Sequence, residues 1–136
     1  MAAGAHKSYA TTRNEELPPA EIIFGCSPAM TVLRQKVNKV AKSGIPVLIE
    51  GPNGTGKGVM AHYVHVQSLV AAGPFIKVNC AAIPGALLES ELFGHERGAF
   101  TGAYSTKPGR AELADHGTLF LDGIDEIDPE IGRAHV

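Results

Sequence analysis

The chain has 136 residues, enough for one small domain, and 44% of them are hydrophobic, as in ordinary soluble proteins. Its net charge of −2, from 12 basic and 14 acidic residues, gives no electrostatic case for DNA binding by this segment itself. No apolar run approaches the ~20 residues of a membrane helix, and residues 1–10 lack the core of a secretory signal, so we expect a cytoplasmic protein without membrane association.

The two cysteines, Cys26 and Cys80, lie far apart and form no CxxC motif. In a reducing cytosol this pattern predicts two buried free thiols rather than a disulfide or a metal site.

The first third of the chain predicts a linker, a helix and a strand. Residues 1–20 are small and polar, which is typical of a tail or linker. Ser27 followed by Pro28 predicts a capped helix start, and apolar positions at spacings of three and four continue one helix face to Gly44. The apolar run 46–49, bounded by turn residues, predicts a buried strand.

The rest of the chain alternates between the two kinds of element. The pattern predicts helices over 59–70 and 84–93 and strands over 75–78 and 118–122. Strands that alternate with helices indicate an α/β fold with a parallel sheet.

A glycine-rich loop follows the first predicted strand and opens the next helix, which is the context that a Walker A phosphate loop requires. Its glycines let successive N–H groups face phosphate, the helix N-terminus adds positive potential, and Lys57 supplies a cation for the β- and γ-phosphates. The candidate nucleotide-binding residues are Gly51, Pro52, Asn53, Gly54, Thr55, Gly56, Lys57 and Gly58. The alternative is a glycine-rich turn with an incidental lysine.

A candidate Walker B strand delivers Asp122 at its C-terminal end, where open parallel sheets bind their ligands. Asp122 is therefore the candidate Mg²⁺ residue, directly or through water, and a nucleotide-binding residue. Gly123 stands where a glutamate would orient the attacking water, and Asp125 and Glu126 fall in the following turn, so we assign no catalytic residue. The alternative is an ordinary buried strand that happens to end in aspartate.

His62 and His65 share one face of the helix after the phosphate loop. They could form a metal pair, but no third ligand is evident, and the preferred interpretation is two ordinary helical histidines.

The segment 89–97 leads into a run that resembles one family closely. The run is Gly98, Ala99, Phe100, Thr101, Gly102 and Ala103, the GAFTGA signature of sigma-54-dependent transcription activators. Segments 78–84, 107–110 and 117–122 also resemble this family, so the likeness extends from about residue 22 to about residue 130.

The resemblance implies an α/β P-loop NTPase of the AAA+ class, of which this chain is the N-terminal portion of a three-layer parallel sheet. It implies ATP and Mg²⁺ as cofactors, a homo-oligomer (usually a hexameric ring), DNA binding through a C-terminal domain not contained here, and remodelling of sigma-54 RNA polymerase. In the family the GAFTGA loop contacts sigma-54, with Phe100 and Thr101 most directly involved. The residues agree, because a lone aromatic between glycines suits a partner anchor; the alternative is a core phenylalanine.

The flanking residues have simpler interpretations. The family also has a histidine at the position of His95, which implies structural support of the loop. Glu96 and Arg97 are interpreted first as a solvated charged pair, with an intersubunit contact as the alternative.

Four residues depart from the family pattern. The Walker A segment usually has other residues where this chain has Pro52, Asn53 and Gly58, and Gly123 replaces the Walker B glutamate. Pro52 also removes one backbone N–H. These changes are compatible with nucleotide binding and disfavour hydrolysis.

Relatives in the family continue past this point with a sensor-bearing strand, arginine fingers and a helical lid. The last residues, 131–136, resemble a translated sequencing adapter, so we assign the domain to 21–130 and treat 131–136 as a non-native tail. The resemblance places the sensor strand between the Walker A and Walker B strands, and without it we expect the isolated chain to be unstable.

Four hypotheses follow. The protein is an ATPase, a regulator that binds nucleotide without hydrolysis, an inactive gene fragment, or another P-loop NTPase such as a helicase loader or a chelatase subunit. The GAFTGA run argues against the last.

Overall fold

The computed structural model describes residues 16–96, 98 and 106–126. The helices are α1 (Ala20–Phe24), α2 (Pro28–Ala41), α3 (Lys57–Gln67), α4 (Gly85–Phe93) and α5 (Arg110–Leu113). The strands are β1 (Phe75–Asn79), β2 (Gly94–His95), β3 (Lys107–Pro108) and β4 (Thr118–Asp122), and β4 is followed by the 3-10 turn Ile124–Glu126. β1 pairs with β4 in parallel and β2 pairs with β3 in antiparallel orientation, so the predicted α/β fold is confirmed.

Helix α2 begins as its sequence predicts. The Ser27 hydroxyl accepts a hydrogen bond from the Met30 amide at 3.2 Å, with Pro28 in the first turn. The helix then packs on α3, where the Tyr63 hydroxyl donates to Asn38 Oδ1 at 2.6 Å. This contact fixes the position of the helix that carries the phosphate loop.

The parallel sheet lies between α3 and α4, and each of its two faces packs against one of these helices. On one face, the Phe75 ring stacks on His62 at 5.3 Å between ring centroids, and Gly58 lies against Phe120. On the other face, the buried apolar core comes from β1, the turn after it and α4, and consists of Val78, Cys80, Leu88 and Leu92. Three partly buried residues pack against this core: Ile83, Leu119 and Leu121. The alternation along each strand thus produces three layers.

Two glycines set the register of the parallel pair just before the strands begin. A Cβ on Gly73 would collide with the carbonyl of His116, and one on Gly117 would collide with Pro74. The Thr118 amide then donates to the Pro74 carbonyl at 2.8 Å, and Asn79 comes to lie opposite Asp122. The close backbone approach therefore aligns the C-terminal ends of both strands.

The prediction of a strand over 46–49 is wrong for this structure, because these residues form no β-ladder in the part of the chain that the structure describes. A cleft of about 320 Å³ separates them from residues 119–122 of β4. A strand is defined by its ladder hydrogen bonds, and without a neighbour within reach the apolar run stays unpaired. Leu48 is 69% exposed as a result.

The cysteine prediction is half correct. Both thiols are free, and Cys80 is buried in the core, whereas Cys26 is exposed in the turn between α1 and α2. Burial raises the pKa of the Cys80 thiol, and the charge of Asp122 raises it further.

Candidate nucleotide-binding site

The Walker A residues form a turn that leads directly into α3. Gly54 and Gly56 adopt left-handed backbone angles, with φ of 81° and 88°, which other residue types rarely tolerate. The Thr55 hydroxyl donates to the Pro52 carbonyl at 2.7 Å and closes the loop, and Lys57 is the first residue of the helix. No side chain caps this helix and no acidic residue lies in its first turn, so its N–H groups remain available to an anion.

Gly58 has room for a larger side chain. A Cβ at this position would meet its nearest neighbour, the Phe120 ring, at 4.0 Å, an ordinary van der Waals distance. Packing therefore does not require glycine here, and the missing side chain is a chemical difference from the usual motif.

Asp122 is the last residue of β4, and it lines the same cleft as Lys57. The structure thus brings together the two charged residues that the sequence assigned to phosphate and to Mg²⁺. Few side-chain oxygens at this site could bind Mg²⁺, because the Thr55 hydroxyl is hydrogen-bonded within the loop and Gly58 has no side chain. One carboxylate and an uncapped helix N-terminus fit a Mg–nucleotide complex in which water and phosphate supply the other metal ligands.

Gly123 departs from its neighbours in backbone conformation as well as in chemistry. Its φ is 74°, in the left-handed region, although the atoms nearest to a Cβ at this position, those of Ala81, would lie 3.7 Å away. A glutamate here would meet little steric hindrance from neighbours but would be strained at its own backbone. Asp125 is exposed in the 3-10 turn that follows, as the sequence predicts.

Sequence reasoning missed Lys77, whose Nζ lies 3.7 Å from Oδ2 of Asp122. Strand alternation places Lys77 on the same face as Asn79, but only the register of β1 against β4 reveals its partner. The ammonium also lies 5.9 Å from the Phe120 ring centroid. A second cation is therefore present at the candidate metal site.

The two histidines of α3 both pack against the sheet, where each ring lies beside the Phe75 ring. His65 is buried, and its Nδ1 lies 2.7 Å from Thr118 Oγ1, which ties α3 to the start of β4. Burial lowers the pKa of His65, His62 lowers it further, and a hydrogen bond with the Gly73 backbone opposes this shift. Among residues 16–96, 98 and 106–126, no group of three or more His, Cys, Asp or Glu side chains could hold a metal ion.

The partner-binding prediction lies mostly outside the described residues. Gly98 is exposed with φ of 84°, whereas Arg97 and the run Ala99, Phe100, Thr101, Gly102 and Ala103 are not described. At the base of this segment, His95 Nδ1 lies 2.6 Å from Ser90 Oγ, which agrees with a supporting role for His95. Glu96 is exposed.

The comparison with protein families decides the relationship. Residues 23–134 match the model of the sigma-54 interaction domain. The chain belongs to this family. Within the described residues, this sigma-54 interaction domain has no helix long and apolar enough to cross a membrane.

Curated relatives of this sigma-54 interaction domain are transcription regulators. The Nif-specific regulatory protein of Rhodobacter capsulatus is 59% identical over 107 residues, which cover 79% of this chain and 18% of the relative. The anaerobic nitric oxide reductase transcription regulator NorR of Salmonella arizonae is 51% identical over 105 residues, or 77% of this chain and 21% of the relative. The chain thus spans about a fifth of the length of these relatives.

Solved structures support the AAA+ fold. NtrX from Brucella abortus in complex with ATP superposes with a TM-score of 0.70 and 38% identity, over 81% of this chain and 23% of NtrX. NtrX in complex with ADP gives the same score over 80% of this chain. The described residues therefore form part of an AAA+ domain.

Proposed function

We propose that this domain binds ATP with Mg²⁺ and passes the nucleotide state to sigma-54 RNA polymerase through residues 98–103. The observation that carries the proposal is the shared cleft of Lys57 and Asp122, two charged residues that lie far apart in the sequence. Both lie where a triphosphate and its metal would sit. The family match and the ATP complex of NtrX support this choice of ligand.

Each part of the site has a distinct role in this proposal. The amides after Gly56 and the ammonium of Lys57 hold the phosphates, and Asp122 holds Mg²⁺, directly or through water. When bound, the metal neutralises phosphate charge. The polymerase contact uses the GAFTGA run, with Phe100 as the apolar anchor and Thr101 beside it.

Assembly and location follow from the same family. We propose that the complete protein forms a homo-oligomeric ring in the cytoplasm, binds promoter DNA through another domain, and remodels the sigma-54 polymerase complex. The net charge of −2 supports a separate DNA-binding region, because this segment offers no excess of positive charge.

A second candidate function is nucleotide binding without turnover. Gly123 favours it, because this residue has no side chain and its backbone is left-handed. In that case ATP binding alone sets the position of the GAFTGA run, and the change lasts for as long as ATP stays bound.

The experiment uses a chimera in which residues 23–126 replace the matching segment of the complete Rhodobacter capsulatus regulator. We expect ATP-dependent retention of sigma-54 by the chimera, loss of ATP binding in Lys57→Ala, and loss of sigma-54 retention with intact ATP binding in Phe100→Ala. Measurement of phosphate release distinguishes a domain that hydrolyses ATP from the second candidate, which binds ATP without turnover. A chimera that binds no ATP, or a Phe100→Ala variant that retains sigma-54 normally, would contradict the proposal.

A further inference from the structure

The chain on either side of residues 97–105 forms a short two-stranded stem. Gly94 pairs with Pro108, and His95 pairs with Lys107. At the base of the stem the two backbones cross closely, because a Cβ on Gly94 would collide with the Lys107 carbonyl and one on Gly109 would collide with the end of α4. The base is therefore too tight to act as a loose hinge.

The last turns of α4 hold both strands of this stem. The Ser90 hydroxyl contacts His95 on the entering strand. Glu91 is the next residue, and its carboxylate bridges two cations: Oε1 lies 3.3 Å from Lys107 Nζ on the exit strand, and Oε2 lies 3.3 Å from Arg110 on α5. One side chain thus connects α4, β3 and α5.

This cluster is partly withdrawn from water. The side chains of Glu91 and Arg110 are 25% and 14% exposed. Charge pairs in such a setting are less screened than pairs on an open surface, so their geometry is held more firmly. Lys107, at 36% exposure, is the most accessible of the three.

The cluster also reaches the sheet. Arg110 donates from a second guanidinium nitrogen to the Lys77 carbonyl at 3.3 Å, and the side chain of this same lysine faces Asp122. Lys77 therefore contacts the candidate metal site with its side chain and Arg110 with its backbone carbonyl, and Arg110 in turn contacts Glu91 beside the stem.

We propose that Glu91 is a positioning residue that sets the direction in which the stem leaves the domain. The proposal rests on the proposed function, because the stem carries the polymerase-binding run. Glu91 contacts neither nucleotide-binding residues nor the run itself among the described contacts; it acts through Lys107 and Arg110.

The test measures stem direction and partner binding separately in the chimera. Exposed Cys26 provides one spin-label site and Glu96→Cys provides the second, while buried Cys80 does not label and the relative's own exposed cysteines are replaced by serine. Labelled subunits are diluted with unlabelled ones, so that only distances within one subunit are recorded by pulsed electron spin resonance. Glu91→Gln removes the bridging charge, and Glu112→Gln, an exposed residue of α5, is the matched control.

We expect Glu91→Gln to broaden the distance distribution and to weaken sigma-54 retention about tenfold, with ATP affinity within about twofold of the parent. Glu112→Gln should match the parent in all three measurements. Arg110→Lys keeps the positive charge but cannot contact Glu91 and the Lys77 carbonyl at the same time, so it should give a distance distribution of intermediate width.

The outcomes separate this inference from the proposed function. If Glu91→Gln leaves the distribution narrow, or if ATP affinity falls in step with sigma-54 retention, Glu91 does not position the stem. If Glu91→Gln fails to fold, the more exposed Lys107→Gln decides by the same two measurements. If the parent chimera retains no sigma-54, the proposed function fails, and the distance distribution alone decides on Glu91.

Discussion

Lys77 places its ammonium nitrogen 3.7 Å from Oδ2 of Asp122, on the sheet face that packs against α3. The two side chains are 49% and 36% exposed, so the pair is held weakly and water can replace it. A cation so close to the carboxylate nevertheless opposes the approach of a second cation.

We therefore expect Lys77→Met to raise the affinity of the nucleotide complex for Mg²⁺ by about two- to fivefold. The measurement is a Mg²⁺ titration of fluorescent ATP analogue binding to the chimera, repeated at high salt, where the difference should shrink. Lys42→Met, at an exposed position outside the site, is the control. Unchanged or weaker Mg²⁺ binding in Lys77→Met would show that the lysine does not compete.

Gly123 gives a second prediction, because a glutamate at this position would supply a catalytic carboxylate but would strain the left-handed backbone. Gly123→Glu supplies the missing carboxylate and should raise the rate of phosphate release about 100-fold. It should also lower stability by about 1–2 kcal/mol, since φ of 74° is unfavourable for glutamate. Gly123→Gln carries the same strain without the charge, so it should show the stability loss alone. Equal phosphate release from the two variants would mean that the carboxylate does not reach the attacking water.

The buried His65 predicts a pH dependence of stability. Its folded pKa lies below the ordinary 6.5, so the unfolded chain binds the proton more readily than the folded one. The stabilising contribution of His65 to the free energy of unfolding is fully present above pH 6.5. It is lost as the pH falls from 6.5 through the folded pKa, and the free energy of unfolding then falls by up to about 1.4 kcal/mol per pH unit.

The measurement is the thermal unfolding midpoint of the chimera and of its His65→Asn variant, each at about pH 7.5 and about pH 5.5. These two pH values lie about one unit above and below the ordinary histidine pKa. Asparagine can keep the hydrogen bond with Thr118 but does not titrate in this range. The parent should lose more stability on acidification than the variant. Parallel losses would assign the pH dependence to other groups.

The unpaired segment 45–49 predicts that the isolated 136-residue chain has low stability and a tendency to aggregate. Ile45 and Leu48 are 59% and 69% exposed, and two clefts of about 340 and 320 Å³ lie between this segment and β4. We expect broad, non-cooperative unfolding or aggregation, because net domain stability of ~5–15 kcal/mol leaves little margin for such exposure.

Calorimetry and light scattering of the purified chain test this expectation. Leu48→Glu should reduce aggregation, whereas Ile22→Glu, at a position of α1 that is 73% exposed, should not. A monomeric chain with one sharp, cooperative transition would contradict the prediction.

Local chemistry made several features predictable. The Ser27 cap and the strand that ends at Asp122 each depend on neighbouring residues in the sequence, and both were confirmed. The helix predicted over 59–70 also exists, but it begins at Lys57 and ends at Gln67. The strand over 46–49 was predicted from the same kind of pattern and was wrong, because a strand also needs a neighbour that local sequence does not supply.

The sequence by itself determined the phosphate loop, the carboxylate at the end of β4, the alternation of helices and strands, and the family to which they belong. Only the tertiary structure decided that Lys77 faces Asp122, that Glu91 bridges Lys107 and Arg110, and that Gly123 is left-handed. These relationships depend on strand register and on contacts between residues far apart in the chain. Side-chain periodicity specifies a face of a strand or helix, but packing alone specifies what that face meets.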